Sequence, residues 1–100
     1  NNDFKKEFYQ QAQDAVGDGE NSAQEAMAQY ISNHVQAYIL DKAESLGAQL
    51  SVAIHLTDDN PPVPCSIELS GTVSPYARSV LTKYIADTLG IQAEDQIWSG

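Results

Sequence analysis

Residues 22–57 read SAQEAMAQYISNHVQAYILDKAESLGAQLSVAIHLT, and the spacing of the apolar residues changes within the stretch. Ala23, Met27, Tyr30, Ile31, His34, Val35, Tyr38, Ile39, Ala43 and Leu46 recur at three- and four-residue steps, the spacing of one helix face. Gln24, Gln29, Ser32, Asn33, Gln36, Asp41 and Glu44 fall largely opposite. Ser22 and Glu25 have the spacing of a capping box, in which each side chain satisfies an orphan N–H of the first turn, so the helix is expected to open at Ser22. Gly47 supplies the left-handed residue that ends it. Beyond it the period becomes two: Leu50, Val52, Ile54 and Leu56 alternate with Gln49, Ser51, Ala53, His55 and Thr57, which predicts a strand with one buried face. A helix of this extent would run about 36 Å, against about 25 Å for the strand. One end of the helix, with Ala23 and Met27, is therefore expected to overhang the sheet and to need another surface.

Working outward toward the C-terminus, Asp58 to Pro64 holds three prolines and an Asp/Asn cluster, which cannot form a ladder and predicts a hairpin loop. Cys65, Ile67, Leu69, Gly71 and Val73 then alternate with Ser66, Glu68, Ser70 and Thr72, a second strand apolar on one side. Ser74-Pro75 is a cap followed by proline at the first helical position, where the missing N–H costs nothing. Ala77, Val80, Leu81, Tyr84, Ile85, Thr88 and Leu89 form the buried stripe of that helix, and Gly90 ends it with Ile91 folding back. Ala93-Glu94-Asp95 reads as a turn and Gln96 to Ser99 as a short third strand, parallel to the second because a strand–helix–strand step joins them.

Toward the N-terminus, Phe4, Phe8, Ala12, Ala15 and Val16 share one side of an amphipathic pattern from Asp3 to Val16, followed by the Gly17–Asn21 break. The expected organisation is a helix and linker over 1–21 and an α-β-β-α-β domain over 22–100. The fold class is α+β, a two-layer sandwich: a three-stranded mixed sheet covered on one face by helices.

With 14 acidic residues against 5 basic ones, a net charge of −9, the chain repels phosphate backbones and anionic headgroups, so no nucleic-acid partner is expected. The single Cys65 excludes an internal disulfide and thiolate zinc sites. No apolar run reaches the length of a membrane span and no signal-peptide pattern is present. The chain opens Asn1-Asn2-Asp3 without Met, and is expected to be a piece of a longer protein.

Chemistry is sparse. His55, Asp58 and Asp59 lie close at a strand end and could hold a divalent cation or act in acid–base catalysis, which leaves a small metal-dependent enzyme as one reading. An exposed two-carboxylate turn lacks the further ligands and the dry wall that such a site needs, so no catalytic residue, metal ligand or cofactor is assigned. His34, between Tyr30 and Tyr38 on successive turns, reads as a hydrogen-bonded boundary residue, and Cys65 as a small buried one. What remains is a surface. A sheet covered on one side leaves a bare face carrying Ser51, Ala53, His55, Ser66, Glu68 and Ser70, with Thr72 beside them, and flat small-residue faces suit protein docking.

Two segments carry a resemblance: ILDKAESLGAQLSVAIHL, and CSIELSGTVSPYARSVLTKYIADTLGIQAEDQIW. Together they resemble the soluble domain of the stage III sporulation protein AF family, and more broadly the ring-building motif shared with stage III sporulation protein AG and the basal-body rings of type III secretion systems. The shared features span about Ala28 to Ser99: a long helix into an alternating strand, a hairpin, a helix ending at Leu89-Gly90-Ile91, and an acidic turn before the last strand. The resemblance implies a non-enzymatic, extracytoplasmic domain of a membrane-anchored protein. It would be held to the membrane by a segment outside this chain, in a channel-like or ring-like assembly with other copies or related ring proteins. It implies no catalytic residues. The other binding reading is a secreted or cell-surface module. The element order also resembles a type II KH domain, but neither the GXXG loop nor a basic surface is present. The residues expected to carry assembly are Ser51, Ala53, His55, Ser66, Glu68 and Ser70 on the bare face, with Ala23 and Met27 on the overhanging helix.

Overall fold

A computed structural model describes residues 21–100, so the helix expected from Asp3 to Val16 lies outside the described residues. The elements run α1 (Asn21–Ser45), β1 (Gln49–Leu56), β2 (Pro64–Thr72), α2 (Pro75–Leu89), a 3-10 turn (Ala93–Asp95) and β3 (Gln96–Ser99). The fold is α+β, and its sheet is mixed. β2 is central, antiparallel to β1 and parallel to β3, as the strand–helix–strand connection requires.

α1 already includes Asn21 and Ser22. Ser22 is therefore not its cap, because an N-cap residue has non-helical backbone angles. The far end agrees with the sequence. Gly47 has φ +77°, its N–H donates to the Glu44 carbonyl at 3.0 Å, and the Ala48 N–H donates to the Ala43 carbonyl at 2.9 Å. That pair is a Schellman ending, and the accompanying apolar contact is present, since Ala43 and Ala48 share a cluster with Leu81.

β1 and β2 pair in register from Gln49 opposite Thr72 to His55 opposite Ser66, and then Leu56 meets Pro64 instead of Cys65. Cys65 is the extra residue of a bulge. The bulge exchanges the two side chains, so that Pro64 is buried and Cys65 is exposed, which corrects the expectation of a buried cysteine. Thr57 organises the hairpin loop: its N–H donates to the Val63 carbonyl at 2.8 Å, and its Oγ1 accepts from the Val63 N–H at 3.0 Å. At the other end of β2, Gly71 has φ +129°, and a Cβ there would lie 2.3 Å from the Gln49 carbonyl oxygen, so only glycine fits.

α2 begins as its sequence predicts. Ser74 Oγ accepts from the Ala77 N–H at 3.0 Å and Pro75 follows it. The helix ends at Gly90, φ 72°, with Ile91 buried. One core joins both helices to one sheet face: Met27, Ile31, Val35 and Ile39 of α1, Val52, Ile67 and Leu69 of the sheet, and Ile85, Leu89 and Ile91. Leu81 packs with Ala43 and Ala48, while Tyr84 stacks on Tyr38, so α2 runs back along α1. This corrects the overhang. Met27 is only 7% exposed and belongs to the core, because the C-terminal end of α2 and Ile91 extend the cover past the strands.

β3 is latched from within. Gln96 is buried, and its Nε2 donates to the carbonyls of Thr82 at 2.9 Å and Ile91 at 3.0 Å, tying the first residue of β3 to the body of α2 and to the segment after it. Trp98 faces the same side, with the Arg78 guanidinium 5.1 Å from its ring centre.

A candidate interaction face on the open side of the sheet

Pairing fixes which outward side chains are neighbours. Ser51 lies opposite Ser70 and Ser70 opposite Ser99, so one serine from each strand forms a row across the sheet. The next row is Ala53, Glu68 and Ile97, and the next is His55 and Ser66. All six sheet residues expected on the bare face are brought together there. Ser51, Ala53, His55 and Glu68 are exposed, and Ser66 and Ser70 are half-buried. Between the serine row and Glu68 lies a shallow depression of about 260 Å³, lined by Ser51, Ala53, Glu68, Ser70 and Ser99, with Val52 and Leu69 at its floor.

Ile97 was not among the residues expected on this face. It is 53% exposed and sits beside Glu68, the largest apolar side chain on an otherwise small and polar surface. Its signal was the alternation of Gln96-Ile97-Trp98-Ser99: with Trp98 turned to the core, Ile97 must turn outward.

Electrostatically the face is nearly neutral in a chain of net charge −9. Its ionisable side chains are His55 and Glu68, which meet diagonally across the strands with His55 Nε2 2.5 Å from Glu68 Oε2. That contact corrects the grouping of His55 with Asp58 and Asp59. The imidazole turns along the sheet toward Glu68, away from the loop, and among the described residues no three His, Cys, Asp or Glu side chains are placed to hold a metal ion.

The two helical candidates lie elsewhere. Ala23 is half-buried and Met27 is in the core, both in the layer on the far side of the sheet. His34 stacks on Tyr30 with ring centres 4.1 Å apart. Tyr84 packs beneath Tyr38, and its phenol is pushed well above the ordinary tyrosine range, first by burial and then by the Tyr38 hydroxyl beside it.

Comparison with protein-family models, with curated proteins and with solved structures finds no match to this chain. Among the described residues no helix is long and apolar enough to cross a membrane.

Proposed function

We propose that this chain is a non-enzymatic protein-interaction domain, which associates with other protein subunits through the open face of its sheet. The observation that carries the reading is the face itself: small side chains in rows across three strands, an exposed Ile97, and only the His55–Glu68 pair for charge. In a strongly acidic chain, a face that carries a single carboxylate beside a histidine repels an acidic partner little.

The size of the face says how it would work. Two strands about 25 Å long and the four-residue β3 at about 13 Å, spaced about 4.8 Å apart, offer roughly 300 Å², less than half of what a partner contributes to a standard stable interface. A single contact of that size is weak, and it becomes useful where many copies are held together, so that each contact forms at high effective concentration. This agrees with the repeated, membrane-attached, ring-like or channel-like assembly implied by the resemblance to stage III sporulation protein AF, which belongs to the proposal through that resemblance alone.

The test is to place Ser51→Glu, Ala53→Glu and Ser70→Glu together in the full-length protein and follow its association by sedimentation. Loss of association with an unchanged circular dichroism spectrum is the expected result. Association as before would remove the face from the proposal.

A further inference from the structure

β1 pairs only with β2 among the described residues, which leaves its other edge open along eight residues, Gln49–Leu56. Natural edges of this length are usually guarded by lysine, proline or an inward charge, yet QLSVAIHL contains no Asp, Glu, Lys, Arg or Pro. Its inward side is also unfinished. Val52 is buried, but Leu50, Ile54 and Leu56 are only half-buried, whereas Ile67 and Leu69 on the neighbouring strand are sealed.

The helix above shows why. Tyr38 and Lys42, on one flank of α1, turn to α2, where both meet the ring of Tyr84. Ala28, Ser32, Gln36 and Leu40 follow the buried Met27, Ile31, Val35 and Ile39 by one residue each, which sets them about 100° round the helix on the opposite flank. That flank looks out beyond β1 and is half-buried along its length, with short side chains at Ala28 and Ser32. Open backbone below and a low helix flank above form a groove running along the edge of the sheet.

We propose that this groove takes up an extended segment of a partner protein as a fourth strand, one that alternates apolar and basic residues. The apolar positions would finish the cover over Ile54 and Leu56 against Leu40, and main-chain hydrogen bonds to β1 would supply the rest. The basic positions follow from charge. β1 itself is uncharged, but the exposed carboxylates of Glu44 at one end and Asp58 and Asp59 at the other bracket it, in a chain of net charge −9. A second copy of this chain does not fit, because paired strands lie about 4.8 Å apart whereas each overlying helix is about 10 Å wide. The proposal deepens the protein-interaction reading and rests on it, but uses a different surface.

The experiment is a titration of the isotope-labelled full chain with a synthetic peptide of about eight residues alternating valine and lysine, followed by amide NMR. The expected result is shifts along β1 and the facing flank of α1. With valine replaced by glycine at unchanged charge, binding falls by at least about tenfold. Gln36→Trp, which fills the groove from the helix, gives a loss of similar size, and Ile97→Glu gives none. Should Gln36→Trp not fold, Ser32→Trp makes the same test. Equal binding of the glycine peptide, no β1 shift up to about 1 mM, or binding indifferent to the tryptophan overturns the groove. Binding lost only in Ile97→Glu moves the contact to the open face, overturning the groove while leaving the interaction reading in place. Groove binding that survives while the Ser51, Ala53 and Ser70 triple variant associates normally overturns the face instead.

Discussion

The two faces of the sheet are built from the same strands and treat substitution in opposite ways. Val52, Ile67 and Leu69 point inward and are between 0% and 6% exposed, packed under both helices. One residue away along the chain, Ser51, Ala53, Ser66, Glu68 and Ser70 point outward with nothing over them among the described residues. Because side chains alternate strictly, moving one position along a strand moves from the residues that hold the fold to those that can be changed without cost to it. If the open face is an interaction surface, as proposed, stability and association should therefore be separable by single substitutions.

The largest effect expected is from Leu69→Ala, which opens a cavity under the central strand and should cost about 2–5 kcal/mol in urea unfolding. Stability within about 1 kcal/mol of the native protein would mean that the inward face is far looser than its burial indicates. Gly71→Ala comes next. Its Cβ would meet the Gln49 carbonyl at a backbone angle reserved for glycine, and a loss of about 1–3 kcal/mol is expected. Ser74→Ala removes the hydroxyl that accepts the Ala77 N–H and should lower the melting free energy by about 1 kcal/mol, with Ser74→Asp restoring it. Ser51→Glu on the open face should change stability by no more than about 0.5 kcal/mol while weakening association, which sharpens the comparison most directly. The last prediction concerns alkali. The folded state holds the Tyr84 proton more tightly than the unfolded chain does. Its contribution is therefore complete below about pH 10, the ordinary tyrosine value, and is lost as pH rises above it. Tyr84→Phe should flatten the alkaline fall in a pH series of melting curves.

Much of this architecture was legible in the sequence because single residues with one physical meaning mark its joints. Gly47 and Gly90 end helices, Ser74-Pro75 begins one, and the alternation from Leu50 to Leu56 can only be a half-buried strand. The misreadings share a cause, which is contact between residues distant in sequence. The bulge that turns Cys65 outward arises in the fit of two strands to a proline-bearing loop, and periodicity within one strand cannot reveal it. Met27 was assigned to an overhang because strand length was compared with helix length, whereas Leu89 and Ile91 join it in the core. His55 is near Asp58 and Asp59 in sequence but turns to Glu68, thirteen residues away. Ile97 was readable in principle, since Trp98 beside it fixes its direction. The Gln96 latch was not, because glutamine at a strand start gives no sign of the two carbonyls it will meet.

That latch has a kinetic consequence. β1 and β2 are joined by a short loop and can pair as soon as the chain turns at Thr57, but β3 must wait for α2 to form and lie down before its four residues find β2. β3 should be the last strand to dock in refolding and the first whose amides exchange with solvent, ahead of any global unfolding. When it opens, the central strand is left with a bare backbone edge beside Ile67 and Leu69. While Gln96 stays between the Thr82 and Ile91 carbonyls that edge is covered, so weakening the latch should add a second open edge to the one that β1 already presents.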